Sequence, residues 1–263
     1  MGRAMRLSID VRLDYGISGD ADVLLQIEAA AMADQKIESE SLTIWSDSPI
    51  RAVRGEDGIG QRCWSRGHGR FTAEYKSIVA VSRERVQLEL YPATPPRMLD
   101  GELTPYLMPS RYCPSDRFEG FVGREFAGLE GGPLAAALTE WVYQSLDYRC
   151  GSSSGETTAL DTFASRSGVC RDYSHLLVSL ARAGGIPARC VSAYAPGVDP
   201  PDFHAVAELW LAGDWRLIDA TRMATCSDIA RVCVGRDATD IAFMTVFGQA
   251  YLWEQRVTVT PLD

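Results

Sequence analysis

Three residues of this 263-residue chain have the types that nucleophilic catalysis needs: Cys170, His204 and Asp219. A thiol attacks as its thiolate, an imidazole accepts and returns the proton, and a carboxylate fixes the imidazole's tautomer and orientation. Cys170 lies in Ser167-Gly168-Val169-Cys170-Arg171-Asp172-Tyr173-Ser174-His175, where an amphipathic helix begins. A helix N-terminus presents unpaired N–H groups and the positive end of the helix dipole, and both lower a thiol pKa. The Cys170 backbone N–H is also placed to help hold an oxyanion. His204 opens a strand-like run, His204-Ala205-Val206-Ala207-Glu208, and Asp219 falls in the next one, Trp215 to Thr221.

Hairpin parity tests whether the imidazole and the carboxylate can meet. If Trp210 pairs with Trp215, Asp219 lies opposite Val206, on the face of His204 and one diagonal step away, about 7 Å between backbones. A two-residue Gly213-Asp214 turn would instead place it opposite Glu208, still on that face but roughly 13 Å along the strand. Taken singly, each residue has a structural role open to it. Cys170 would be a buried thiol, His204 a satisfied sheet-edge histidine, and Asp219 a partner of Thr221 or a cap on the following turn.

The other candidates carry less chemistry. His175, five residues after Cys170, sits about 140° around the helix and points elsewhere. His68 lies in a Gly-flanked segment, expected to be a solvated turn. Arg171 and Asp172 read equally as substrate contacts and as helix-start ion-pair residues. Trp210 and Trp215 read as hairpin packing first and aromatic walls of a cleft second, and the Pro196–Asp202 loop as a cleft lip. Of the seven cysteines, Cys63, Cys113, Cys150, Cys190, Cys226 and Cys233 read as reduced thiols. With no CxxC pair and an odd count, neither a zinc framework nor a disulfide framework emerges. A zinc site at Cys170 and His204 lacks third and fourth ligands at suitable spacing.

Two groups of elements must position these residues. Early in the chain Leu7, Ile9, Val11, Leu13 and Tyr15 alternate with polar residues, and Phe71 to Val81 alternates likewise. Gly16 to Asp22 reads as a turn, with strands at Val23–Met32 and Ile37–Trp45. This predicts a small antiparallel β-sandwich or barrel over residues 1–105. Beyond the Pro-rich stretch at 92–97 a second unit, 106–263, begins helical, with Pro133 at a first-turn position. Thr158 and Asp161 form a capping-box pattern, and Gly184-Gly185 stops the Cys170 helix. Strands are then expected at 188–195, 204–211, 215–221 and 255–260. The fold class is α+β.

Composition narrows the function. Hydrophobic content of 46% and charged content of 23% fit an ordinary globular chain. A net charge of −9 argues against nucleic acid and anionic membrane as partners. No apolar run approaches membrane-span length and no signal-peptide pattern opens the sequence, so a cytoplasmic setting is expected.

Gly168-Val169-Cys170, His204-Ala205 and Asp219-Ala220-Thr221 resemble the transglutaminase-like superfamily, whose core is papain-like. Gly184-Gly185-Ile186-Pro187-Ala188-Arg189 is similar to the family's helix-to-strand link. Ser110-Arg111-Tyr112-Cys113, Gly235-Arg236-Asp237-Ala238 and the strand-rich beginning resemble bacterial members. The resemblance implies Cys170 as nucleophile, His204 as base and Asp219 as orienter, with a thioester formed from a glutamine or other amide. It leaves the acceptor, water or a lysine amine, open; the expectation is a cofactor-free thiol enzyme acting on a peptide or protein amide, with hydrolysis favoured over crosslinking. No glutamine upstream of the cysteine supplies an oxyanion donor, which leaves a second reading open: a non-catalytic binding or assembly module of the same fold.

Overall fold

The computed structural model describes residues 4–46, 48–85 and 87–262. Its first sheet is antiparallel and is built on two long strands, β1 (Met5–Leu25) and β4 (Gln61–Val81), with β2 (Gln35–Trp45) and the short β3 (Arg51–Arg54) against β4. The alternation read from the sequence is the burial pattern. Leu7, Ile9, Val11, Leu13, Phe71, Ala73, Tyr75 and Val79 are fully enclosed. Side chains two apart on a strand share a face, so one face of each strand goes to the core.

Two expectations change here. Gly16 to Asp22 is not a turn, because β1 runs through it with register shifts between Ile17 and Asp20 and between Ser18 and Asp22. Gly19, at φ +70°, takes up the extra residues as a bulge, a conformation that costs glycine little. His68 accordingly lies in strand β4 opposite Asp20, with its exposed Nδ1 3.1 Å from the Asp20 carboxylate. The sandwich or barrel expected for this part is, in detail, one five-stranded sheet.

The helices follow: α1 (Glu119–Glu125), α2 (Gly131–Ser145), α3 (Ala159–Ser165) and α4 (Cys170–Ala183). Between them a two-residue parallel pair joins β5 (Asp147–Tyr148) to β6 (Ser167–Gly168). The expected capping box forms at α3, where the Thr158 and Asp161 side chains bond each other's backbone N–H. Helix α4 is buried along nearly its whole length. Leu176, Leu177, Leu180 and Ala181 are fully enclosed, and α2 and α3 pack on one side with the second sheet on the other.

That second sheet is antiparallel, in the order β10 (Ala230–Gly235), β7 (Ala188–Tyr194), β8 (His204–Leu211), β9 (Asp214–Ile218). After the short helix α5 (Ala238–Ile241), the last strand, β11 (Met244–Leu262), leaves this sheet. The 255–260 strand expected within the second unit thus extends to 19 residues and pairs along β1, from Leu25↔Met244 to Arg6↔Leu262. Tyr75 of β4 and Tyr194 of β7 stack at 6.3 Å across the junction. A buried ionic chain also crosses it. Glu208 accepts from Arg189 and Arg231, Arg231 reaches Asp34, and Arg83 donates to Asp34 at 2.7 Å. No helix among the described residues is long and apolar enough to cross a membrane.

Candidate active site

Cys170 is the first residue of α4, as its sequence context requires. Asp172 secures that helix start. One carboxylate oxygen accepts the Val169 N–H at 2.9 Å and the other accepts the Ser153 hydroxyl at 2.9 Å. The group is fully buried, and Arg171 lies 3.6 Å from it. Glycine is needed at 168 because a Cβ there would stand 2.6 Å from the Asp172 Cβ. Arg171 and Asp172 are therefore structural neighbours of the thiol; Arg171 also lines the cleft.

The hairpin settles the parity question. Trp210 pairs with Trp215, and the turn residues are Ala212 and Gly213, at φ 52° and 83°. Both central residues at positive φ match the twist of a two-residue hairpin. Ile218 opposes Ala207, so Asp219, the first residue beyond β9, continues the register toward Val206. Its carboxylate meets His204 with Oδ2 3.0 Å from Nε2. Oδ1 accepts from the Thr221 N–H at 2.9 Å and its hydroxyl at 2.7 Å, while Oδ2 also accepts the Ala224 N–H at 3.0 Å. The Thr221 bond and the histidine bond thus coexist, and the first holds the carboxylate for the second.

Electrostatics follow from this burial. Desolvation alone would pull the His204 pKa down, but the hydrogen bond to Asp219, the neighbouring Cys170 thiol and the charges of both outweigh it, giving about 10. Burial pushes Asp219 the opposite way, yet the His204 bond and charge, Thr221 and the Ala224 N–H hold it below the usual carboxylate range. With Nε2 committed to Asp219, the other ring nitrogen, Nδ1, is buried and has no formal hydrogen-bond partner. Cys170 is the neighbour that acts on the ring from outside the Asp219 pair.

Cys170 and His204 line one cleft of about 570 Å³, together with Tyr112, Ser153, Asp202, Phe203 and Phe243 among others. Cys170 is half-exposed, while Cys63, Cys113, Cys190 and Cys233 are buried. Trp210 and Trp215 pack edge-to-face at 5.4 Å in the hairpin and do not line this cleft.

No sequence motif points to Tyr148. The β5–β6 pair sets it opposite Gly168, two residues before the thiol. Its hydroxyl lies beside the Cys170 backbone N–H and sulfur, and burial together with the thiol's charge raises its pKa. A parallel pair two residues long has no periodicity to read, and only the tyrosine's aromatic character marks the position.

The two remaining motifs meet behind the cleft. Asp237 accepts the Tyr112 N–H at 3.0 Å, and Arg182 reaches Ser110 and the Arg236 carbonyl. His175 is buried and stacked on Tyr112 at 5.2 Å, with Nε2 accepting the Ala238 N–H at 3.1 Å. It forms, with Cys113 and Cys190, a cluster whose donor atoms lie within 4.8 Å of one another. Accepting that N–H leaves the neutral ring's proton on Nδ1. A metal-bound histidine instead donates from its second nitrogen, so the tautomer is wrong for a ligand. Among the described residues Cys170 and His204 belong to no such cluster.

Comparison with known proteins places this geometry. The transglutaminase-like superfamily core model matches residues 130–220, which contain all three site residues. The crystal structure of a candidate cysteine protease from Cytophaga hutchinsonii is 32% identical. It covers 100% of this chain and 92% of its own, with a TM-score of 0.91. The chain belongs to the transglutaminase-like superfamily. An uncharacterized protein of Mycobacterium leprae is 31% identical over 145 residues, 52% of each sequence. The chain thus spans about half the length of that curated relative. The α+β architecture with antiparallel sheets is that of the Cytophaga structure.

Proposed function

We propose that the protein cleaves amide bonds through a thioester on Cys170, with His204 as proton carrier and Asp219 as its orienter. The observation that carries this reading is the buried His204–Asp219 pair, whose second ring nitrogen is left for the Cys170 thiol. The naming of the Cytophaga relative as a candidate cysteine protease supports the same chemistry.

The steps balance as follows. The Cys170 sulfur, its proton held on His204 Nδ1, adds to the amide carbonyl carbon and the C=O pair moves to oxygen. The Cys170 N–H and the Tyr148 O–H supply donors to that oxyanion, in the role an upstream glutamine would otherwise fill. The oxyanion collapses, the C–N bond breaks, and the His204 proton leaves with the amine. Water then gives a proton to His204 Nδ1 and its oxygen to the thioester carbon, releasing a carboxylic acid and restoring the thiolate–imidazolium pair. A primary amine in place of water would make a new amide. We assign water as the favoured acceptor.

The test is turnover of capped glutaminyl peptides with and without added primary amine, followed by mass spectrometry. Ammonia release with conversion to glutamate, or scission of the peptide bond, by the wild type and not by Cys170→Ala is the expected result. An amide product dominating at millimolar amine would reassign the acceptor. Identical behaviour of both proteins would favour the non-catalytic module, a reading from which Tyr148 removes the main motive by providing a donor side chain.

A further inference from the structure

The cleft beside Cys170 is not chemically uniform. Ser153, Ser154, Arg171 and Asp202 supply polar lining, whereas Phe203, Ile241, Phe243 and Met244 form an apolar group. The apolar group has a defined shape. Phe203 and Phe243 stack at 4.4 Å with their planes 8° apart, and Phe203 packs on Tyr194 at 5.7 Å. Tyr194 is fully buried, with its hydroxyl donating to the Ile27 carbonyl at 2.5 Å. The stack therefore runs from the core to the cleft, anchored at its inner end, and both phenylalanines keep part of their surface uncovered. Parallel, offset rings present a flat apolar face that prefers another flat or branched apolar group to water.

The cationic lining is already engaged. Arg171 donates to Ser153 and the Ser154 carbonyl and stands by Asp172. Its Nε lacks an acceptor but is sealed from solvent. Asp202 accepts from the Phe203 N–H and from Gln255. Arg171 is thus spent on its neighbours, while Asp202 sits exposed at the cleft's edge with only neutral donors on Oδ1, so the enclosed recognition capacity beside the thiol is apolar.

We infer that the Phe203–Phe243 stack is a substrate subsite that selects an aromatic or large aliphatic side chain next to the reacting amide. The inference rests on the amide-cleaving reading for the identity of the cleft and names the substrate class within it: peptides rich in apolar residues at the reacting bond rather than charged ones. Phe203 immediately precedes His204, so a side chain seated on the stack would fix the neighbouring carbonyl relative to the thiol. Binding energy there would serve orientation as well as affinity.

Binding is measured by calorimetry on Cys170→Ala protein, so that no turnover intervenes. The probes are capped pentapeptides with Phe, Leu, Gly, Glu or Lys placed in turn on either side of a central Gln. At one of the two positions Phe and Leu are expected to bind about tenfold tighter than Gly, with Glu and Lys no tighter than Gly. Phe243→Ala in the same background is expected to bring all five within about threefold. Should that variant fail to fold by circular dichroism, Phe243→Leu takes its place and is expected to weaken Phe more than Leu. Equal or undetectable binding across the panel, tightest binding of a charged peptide, or a preference that survives both substitutions overturns the inference. The thiol is absent from this assay, so its failure leaves the triad untouched. Conversely, absence of turnover by the wild type leaves the measured preference standing.

Discussion

At the scale of single residues, the account turns on how burial and hydrogen bonding divide the proton between His204, Asp219 and Cys170. The pair has opposite sensitivities. His204 is raised to about 10 from 6.5, so the stability it contributes is fully present below 6.5 and is lost as pH rises through 10. Asp219 is depressed below 3.8, so its contribution is present above 3.8 and lost as pH falls below it. Thermal unfolding across pH should therefore fall off at both ends for the wild type, and Asp219→Asn should flatten both limbs. The same substitution should lower kcat by on the order of 10²–10⁴, because the amide favours the wrong imidazole tautomer. Tyr148→Phe should lower kcat by about 10² with little change in KM, the signature of a donor engaged only with the oxyanion. Unchanged or faster turnover would mean that the hydroxyl occupies the oxyanion position in the free enzyme without serving it.

At the scale of elements, the start of α4 and the β8–β9 hairpin do the positioning. Asp172 ties the helix start to Ser153 and Val169, so Asp172→Ala should cost about 1–3 kcal/mol in denaturant unfolding, from a lost cap and buried donors left unpaired. If the helix start is what presents the thiol, alkylation of Cys170 should slow in the same variant. These elements were readable because their signals are local: the leucine spacing of α4, Gly184-Gly185, and the alternation that carries His204 and Asp219 to one face. The hairpin register was narrowed to two choices, and the Ala212-Gly213 turn decides between them through backbone angles that Ala212 gives no reason to expect. The bulge at Gly19, strand β10 and the β5–β6 pair were not readable. Each depends on partners distant in sequence, and a glycine in a strand looks the same as a glycine in a turn.

At the scale of the whole molecule, β11 returns the end of the chain to β1, a pairing no local pattern specifies. The buried Glu208, held by Arg189 and Arg231, joins the second sheet to Asp34 and Arg83, which flank β2 and β4 of the first. Replacing Glu208 by Gln leaves two buried guanidinium groups short of a counter-charge and should destabilise the protein by about 3–5 kcal/mol. A change under 1 kcal/mol in chemical denaturation would show that water or Asp34 compensates. The cleft exists only when this assembly is complete, since the thiol comes from a helix and its partners from the sheet behind it. The central claim is that, of the seven cysteines, Cys170 alone is activated as a nucleophile by the His204–Asp219 pair. Limited alkylation with iodoacetamide at pH 6, read per cysteine by peptide mass spectrometry, tests it directly. Cys170 should react at least about tenfold faster than exposed Cys150, and lose that advantage in Asp219→Asn. Equal rates at Cys170 and Cys150, or an advantage indifferent to Asp219, would contradict it.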